Sequence, residues 1–141
     1  RCLSFREIHE FFYTDKDYYK KNIIPLVQTR LVTFHKIKEE YALMISQKGI
    51  DLIQKYLNIP NEVYNIETRK VEKSLLKEKD VIVEEKFASH QIALNDFVLR
   101  FRKKFGKIKY FDEKFLSGMV NIRPDGMIRL ENMDIYLEQD K

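Results

Sequence analysis

The sequence contains very little cysteine. Cys2 is its one cysteine, so an internal disulfide and a zinc site built from several thiolates are both excluded. This cysteine usage is typical of a reducing, intracellular setting. No apolar run approaches the roughly 18 residues that a membrane-spanning helix needs, and no signal-peptide pattern opens the chain. We therefore expect a cytoplasmic protein without a membrane partner.

Patterns of catalytic or metal-binding residues are also scarce. The three histidines, His9, His35 and His90, are too scattered to indicate a metal site, and no Ser-His-Asp or Cys-His set suggests an activated nucleophile. No internal repeat or low-complexity tract is present. We therefore expect a protein that is not an enzyme, holds no cofactor or metal, and binds no small-molecule ligand.

The composition is that of an ordinary globular protein. With 141 residues, 44% of them hydrophobic and 34% charged, the chain is long enough for one domain or two small ones. Its formal net charge of +4 permits nucleic-acid binding without requiring it, because evenly spread charge steers no partner. The chain starts with an arginine and its last predicted strand runs to the final residue, so we expect a fragment of a longer protein.

Positive charge is concentrated in residues 16–38. This stretch contains six lysines and arginines and one acidic residue, Asp17, a local charge of six minus one. That excess is larger than the net charge of the whole chain, which indicates a basic surface on this part of the molecule. The basic residues are Lys16, Lys20, Lys21, Arg30, Lys36 and Lys38.

The order of predicted elements in residues 1–58 is that of a winged helix-turn-helix DNA-binding domain. A first helix begins at Ser4, where Glu7 three residues later completes a capping box. A basic second helix then runs into two alternating strands joined by a tight turn at Glu39-Glu40. Ser46 caps a third helix, which ends near residue 58.

In such a domain the second helix and the hairpin turn approach DNA, and here both carry basic side chains. Pro25 lies inside that helix, where it costs about 3 kcal/mol, so we expect the helix to be kinked or split near Ile24. Asn22, Gln28 and Thr29 are suited to base edges. We expect double-stranded DNA as the partner, bound by a homodimer. The predicted DNA-binding residues are Tyr18, Lys20, Lys21, Asn22, Gln28, Thr29, Arg30, Lys36 and Lys38.

The second half of the chain predicts a connector and a small mixed unit. Residues 59–86 are rich in lysine and glutamate, and Val71, Leu75 and Leu76 suggest a partly helical connector. A strong helix around Ser89 to Gly106 opens the unit 87–141. Extended runs follow at residues 107–111, 120–123, 127–130 and 133–138. The predicted class is α+β, with this second unit, its exposed last strand and its aromatic helix as the candidate for dimerisation.

With both halves in view, the chain resembles the replication-relaxation family of plasmids and conjugative elements of Gram-positive bacteria. The resemblance covers nearly the whole chain, and its more specific pieces are HQIALN at His90–Asn95, the Pro124-Asp125-Gly126 turn and the acidic strand end Leu137–Asp140. Two departures are Arg30, where such helices commonly have glycine, and Pro25. The resemblance implies a plasmid-encoded DNA-binding protein acting in replication, relaxation or transfer, or in their transcriptional control.

The acidic residues of the second unit suggest an alternative. Asp125 and Glu138 on neighbouring strands look like the core of the PD-(D/E)xK nucleases, in which two carboxylates hold Mg²⁺ and a lysine stabilises charge. Asp140 occupies the expected lysine position, and Lys141 follows it. An Mg²⁺-dependent endonuclease delivered by a winged helix, with Arg123 or Lys114 as other basic groups, is therefore one alternative, and a truncated or degenerate nuclease-like core is another. A protein-binding winged helix is the third.

Overall fold

A computed structural model describes residues 2–12, 16–75, 78–81, 83–118, 121 and 123–140 of the chain. The fold is α+β, as predicted, and the described residues form three small sheets of three strands each. The chain divides into two compact units. Unit 1 comprises Arg1–Ile59 and Leu76–Asp96, and unit 2 comprises Pro60–Leu75 and Phe97–Lys141. The predicted connector 59–86 is thus shared between the two units.

Unit 1 contains a small sheet and the helices around it. In chain order its elements are β1 Cys2–Ser4, α1 Phe5–Phe12, α2 Lys16–Gln28, β2 Val32–Ile37, β3 Glu40–Ile45, α3 Gln47–Asp51, α4 Glu78–Val81 and α5 Glu85–Phe105. The three strands are antiparallel and lie in the order β1-β3-β2. A single turn of π-helix, Leu52–Tyr56, follows α3. Helix α5 starts in this unit and continues into unit 2.

The capping signals of unit 1 are confirmed. The backbone N–H of Ser4 donates to Glu7 Oε2 at 2.7 Å, and the backbone N–H of Glu7 donates to Ser4 Oγ at 3.2 Å. This reciprocal pair satisfies two N–H groups that the first turn of a helix leaves unpaired. Ser46 likewise caps α3, because its Oγ accepts the backbone N–H of Gly49 at 3.1 Å.

Both faces of the unit 1 sheet are covered, because side chains alternate along its strands. On one face Leu43 packs with Ile8 of α1 and Ile23 of α2. On the other face Met44 packs with Ala88 and Ile92 of α5, which belong to the second segment of unit 1. The whole cluster on this face comprises Cys2, Ile37, Ala42, Met44, Val83, Ala88 and Ile92. The sheet is therefore the centre of unit 1.

Unit 2 joins two small sheets, ordered β5-β4-β7 and β6-β8-β9. Their shared core contains Tyr64 and Leu116 from the first sheet and Phe111 and Met127 from the second. Within the second sheet β9 pairs only with β8, so it is an edge strand. The strands are β4 Asn61–Asn65, β5 Lys70–Ser74, β6 Lys109–Asp112, β7 Leu116–Ser117, β8 Gly126–Arg129 and β9 Asp134–Leu137, with a 3₁₀ turn at Glu113–Phe115.

One prediction about an individual element was wrong. Val71 lies in a strand and not in a helix, because β4 supplies an antiparallel partner and Val71 pairs with Tyr64 in the core of unit 2. Of the two forms predicted for α2, kinked or split, the split form does not occur, since Lys16–Gln28 runs through Pro25 as one helix. The ring removes only the N–H that would bond to the carbonyl of Lys21, on the exposed side of the helix.

The other predicted elements of the second half are placed as follows. The helix ends at Gly106 as expected, with a left-handed φ of 82°. The runs 107–111, 127–130 and 133–138 correspond to β6, β8 and β9. In the run 120–123, Val120 and Ile122 lie outside the described residues, whereas Asn121 and Arg123 belong to no strand. No helix among the described residues is long and apolar enough to cross a membrane.

Candidate nucleic-acid interface

Helix α2 separates its apolar side chains from its basic ones. Ile23 is buried, and Leu26 and Val27 pack partly buried against the same cluster as Ile8 and Leu43. Lys20, Lys21 and Asn22 are exposed. The helix therefore presents a polar, basic side to solvent while its apolar side holds it on the sheet. The predicted Tyr18 contact lies on this helix, but its side chain is outside the described residues.

The end of α2 is a Schellman motif in which Arg30 occupies the position usually held by glycine. The N–H of Leu31 donates to the carbonyl of Leu26 at 2.9 Å, and the N–H of Arg30 donates to that of Val27 at 3.0 Å. Arg30 accordingly has a left-handed φ of 59°. The absence of glycine at this position, noted in the sequence, thus changes the side chain and not the turn. It also leaves a guanidinium exposed at the end of the helix.

Gln28 and Thr29, both predicted to contact bases, differ in the surroundings of their side chains. Gln28 is exposed. The Thr29 hydroxyl bonds back to its own helix, donating to the carbonyl of Pro25 at 2.6 Å. Such a bond is common for threonine in a helix and competes with any outside partner. Gln28 is therefore better placed than Thr29 to contact a base.

Residues 46–49 hold the end of α2 against the start of α3. Ser46 Oγ donates to the carbonyl of Arg30 at 2.6 Å, and Lys48 Nζ donates to the carbonyl of Thr29 at 2.8 Å. A side chain at Gly49 would place a Cβ only 2.2 Å from the carbonyl oxygen of Leu31. The Ser-Gln-Lys-Gly sequence thus fixes the geometry of the helix end. Lys48, which the sequence did not single out, donates a hydrogen bond to one of the carbonyls that the end of the helix leaves unpaired.

The hairpin between β2 and β3 carries the other predicted basic residues. Lys36 and Lys38 are both exposed, and Lys38 has a left-handed φ of 53° in the two-residue turn. Alternation puts Lys36 on the same face of β2 as Val32, which packs with the α1 and α2 cluster. Lys36 therefore projects from the helix-bearing face of the sheet.

The basic side chains of this surface form no ion pair with any residue that the structure describes. Among the described residues, none of the five predicted lysine and arginine contacts has a carboxylate within salt-bridge distance. The nearby acidic Glu40 is instead engaged by Arg6 at 3.3 Å. Unpaired cations of one sign produce a field that attracts phosphate groups. The five are Lys20, Lys21, Arg30, Lys36 and Lys38.

An aromatic cluster that the sequence did not reveal lies beside Lys36. The ring centroids of Phe5 and Phe34 are 5.0 Å apart, and those of Phe34 and Tyr41 are 5.2 Å apart. Phe34 and Tyr41 remain 46% and 45% exposed. Lys36 pairs directly opposite Tyr41 in the strand register. The alternation of Phe34 and Lys36 along β2 was the signal that could have located this cluster.

The carboxylates considered for a nuclease lie in the turn before β8 and just after β9. Asp125 Oδ2 accepts the backbone N–H of Gln139 at 2.8 Å, while Glu138 and Asp140 are exposed. No group of three or more His, Cys, Asp or Glu side chains that could hold a metal occurs within the part of the chain that the structure describes. Lys141 lies outside that part.

The two alternative basic groups for a nuclease also differ in their surroundings. Arg123 donates to the carbonyls of Glu113 and Leu116 at 2.7 and 2.8 Å, so its guanidinium supports the turn before β7. Lys114 is exposed.

The polar residues of the His90–Asn95 segment have a structural role. Gln91 and Asn95 are buried, and Gln91 Nε2 donates to Asn95 Oδ1 at 3.0 Å. Asn95 in turn donates to the backbone carbonyl of Cys2. This segment therefore anchors the first strand of unit 1, and such a bond satisfies a buried polar group that would otherwise be costly.

A buried aspartate organises unit 2. Asp134, whose side chain is 5% exposed, accepts the Tyr64 hydroxyl at 2.7 Å and Arg69 Nη2 at 3.0 Å. Arg129 lies 3.8 Å from its other oxygen. Burial raises the pKa of Asp134, but the hydrogen bonds from Tyr64 and Arg69 outweigh it and hold the pKa below its ordinary value. The cluster joins the β4–β5 turn to the start of β9.

Comparisons with known proteins give no relative. No family model matches the chain, and neither a curated protein nor a solved structure does.

Proposed function

We propose that unit 1 is a winged helix-turn-helix that binds double-stranded DNA. Supporting this are two helices, α1 and α2, followed by the β2–β3 hairpin, with β1 pairing on the far side of β3 in the order β1-β3-β2. In this arrangement α2 is the recognition helix and the hairpin is the wing. Winged-helix DNA-binding proteins place a basic helix in the major groove and a basic wing on the flanking phosphate backbone.

The observation that carries the proposal is the set of five exposed basic side chains without carboxylate partners among the described residues. They lie on the helix, at its end and on the hairpin, which are separate segments of the chain brought into one unit by the sheet. Each phosphate that they neutralise releases counterions, so binding is electrostatic and steeply salt-dependent. Lys20, Lys21, Arg30, Lys36 and Lys38 hold phosphates in this mechanism.

Base recognition falls to fewer residues. Gln28 and Asn22 are exposed on α2 and carry amides that can pair with adenine or with other base edges. Phosphate contacts fix the orientation of the helix, and these amides supply sequence preference. Two copies of the chain, joined through the edge of β9, would read two half-sites.

The biological setting follows from the resemblance to the replication-relaxation family. We extend the proposal to a plasmid-encoded protein that acts in replication, relaxation or transfer, or in their transcriptional control. Its support is the sequence likeness at residues 90–95, 124–126 and 137–140. DNA binding itself is the step that all of these roles share, and it is tested first.

The test is fluorescence anisotropy of a labelled random 30-base-pair duplex titrated with the full chain over a salt series. Changing Lys20, Lys21, Lys36 and Lys38 together to alanine should reduce the slope of log K against log salt by about 3 to 4, at about 0.9 per phosphate contact. The matched control changes four exposed lysines elsewhere to alanine and alters the net charge equally: Lys55, Lys70, Lys73 and Lys114.

The outcomes separate a specific surface from bulk charge. Loss of affinity in the first variant, with the control close to wild type, supports the winged-helix assignment. Equal losses in both variants would mean that only the overall charge attracts DNA. No duplex binding by wild type at low salt would overturn the proposal and turn attention to a protein-binding role for the cluster of Phe5, Phe34 and Tyr41, in which Phe34 and Tyr41 are exposed.

A further inference from the structure

The most basic stretch of the chain lies outside the proposed winged helix. Residues 97–110 contain six lysines and arginines and no acidic residue. These residues form the C-terminal half of α5 and the turn into β6, all within unit 2. The stretch is denser in positive charge than residues 16–38, so a second anionic partner is expected there.

Three phenylalanines form a stripe along this half of α5. Phe97, Phe101 and Phe105 follow one another at intervals of four residues, which places them on one side of the helix. Their ring centroids are 6.0 and 4.4 Å apart. Phe97 is 49% and Phe105 56% exposed, whereas neighbouring Val98 is buried in the protein. Phe97 and Phe105 therefore present ring surface to solvent, with the half-buried Phe101 between them.

Basic side chains flank this stripe of phenylalanines. At 100° per residue, Arg100 and Lys104 follow each other along the edge of the stripe. Lys104 Nζ lies 5.4 Å from the centre of the Phe105 ring. Among the described residues, Lys104 and the neighbouring basic residues Arg102, Lys103 and Lys107 form no ion pair, while Lys109 pairs with Glu62 at 3.0 Å.

We propose that Phe97, Phe101 and Phe105 together with Arg100 and Lys104 form a binding surface for single-stranded nucleic acid. Unpaired bases stack on the exposed rings, and the cations along the edge follow the phosphates. Combined aromatic platforms and positive charge are how proteins bind single strands without sequence preference. A duplex cannot use this surface in the same way, because its bases stack on one another and hide their faces.

Other occupants fit the surface less well. A second copy of the same helix would bring together two stretches that each carry six cations and no acidic residue. A membrane-surface helix needs a broad apolar face, but here the aliphatic Val98 is buried within the protein and only the rings are presented. The surface belongs to unit 2 and shares no residue with the proposed winged helix, so this inference stands or fails independently of duplex binding by unit 1.

The test compares a labelled thirty-nucleotide oligothymidylate with the duplex in the anisotropy assay. Phe97→Ala/Phe105→Ala should weaken single-strand binding about 30-fold, since stacking is worth at least about 1 kcal/mol per base. Phe97→Leu/Phe105→Leu should also weaken it, because leucine is apolar but cannot stack. The matched control, Tyr56→Leu/Tyr136→Leu, removes two other exposed aromatic rings and should bind like wild type.

Each result has a defined meaning. Loss in both phenylalanine variants with unchanged duplex affinity supports the proposal, and the leucine variant guards against a change in folding, which circular dichroism monitors. Wild-type affinity in the leucine variant would overturn it, because stacking would then play no part. So would binding to phosphatidylserine vesicles that the substitutions abolish while oligothymidylate affinity stays constant.

Discussion

The two units of this protein are stabilised in different ways. Unit 1 is built around a sheet whose two faces are covered by apolar clusters, and its helix starts carry local caps such as Ser4 with Glu7. Unit 2 has an apolar core as well, but a buried carboxylate, Asp134, ties three separate segments of it together. Unit 1 is thus held by apolar packing and local caps, whereas unit 2 adds one charged network to its apolar core.

The units are alike in where they place backbone strain. Four non-glycine residues in the described chain have left-handed φ values, and three of these are basic: Arg30, Lys38 and Arg69. A left-handed conformation costs such residues about 1 kcal/mol relative to glycine. In unit 2 the hydrogen bond from Arg69 to Asp134 offsets this cost. Arg30 and Lys38 in unit 1 have no carboxylate partner among the described residues, so their side chains serve an outside partner in our proposal.

The largest expected effect comes from removing the charged network. Asp134→Ala should destabilise unit 2 by about 3 kcal/mol, because it leaves the Tyr64 hydroxyl unpaired in the core and the two arginines without their carboxylate. The exposed positions of Arg69 and part of Arg129 keep the loss at the lower end of that for buried pairs. Urea denaturation with amide hydrogen exchange measures it, and the loss of protection should be greatest in β4, β8 and β9.

The matched control for this prediction is Asp140→Ala, which removes an exposed carboxylate from the same unit. It should change stability by less than about 0.5 kcal/mol. If Asp134→Ala behaved like this control, or if exchange rose mainly in β2 and β3, the contrast between the two units would be wrong.

The sequence predicted those features that depend on neighbours in the chain. The Ser4–Glu7 and Ser46 caps, the glycine stop at Gly106 and the β2–β3 hairpin each rest on contacts within four residues or on one tight turn. The position of that turn was predicted one residue too late, because it consists of residues 38–39 and Glu40 already belongs to β3. The exposure of the basic helix and hairpin followed from the same periodicity. Local signals were therefore sufficient for the α+β class and for the solvent-facing position of the basic surface.

Features that depend on distant segments were missed. Strand β1 is three residues long, and its partners are β3 and Asn95, which lies 93 residues from Cys2. The β4–β5 hairpin has no Asn-Gly or Asp-Gly dipeptide that would have indicated its turn. The turn is stabilised instead by Asn65 Oδ1, which accepts the backbone N–H groups of Glu67 and Thr68. The role of Asp134 could not be predicted either, since its hydrogen-bond donors Tyr64 and Arg69 lie 70 and 65 residues away in the chain.

A pH titration tests the capping box that opens unit 1. Burial raises the pKa of Glu7 from 4.5 to about 6, against the lowering effect of the Ser4 hydrogen bonds. Because the pKa of Glu7 is higher in the folded state than in the unfolded state, protonation of Glu7 favours the folded state. Stability from this group is therefore greatest below about pH 4.5 and is lost as pH rises through about 6, with a total loss of about 2 kcal/mol once Glu7 is ionised in both states.

Comparing variants isolates this contribution from other titrating groups. Glu7→Gln should flatten the stability profile between pH 4.5 and 6 in urea denaturation, relative to wild type. Glu10→Gln, on the exposed side of the same helix, should leave the wild-type slope intact. The same slope in all three proteins would mean that Glu7 titrates normally in the folded state.

The smallest expected effect concerns Arg30, and it has opposite signs for stability and binding. Arg30→Gly places glycine at the left-handed position of the Schellman motif and should stabilise unit 1 by about 0.5 to 1 kcal/mol. Gln28→Gly, two residues earlier in right-handed helix, should instead destabilise it by about 1 kcal/mol. In the duplex assay, Arg30→Gly should reduce the salt slope by about 1, as expected for one lost phosphate contact. A variant that gained stability and kept the wild-type slope would show that the arginine is not retained for DNA.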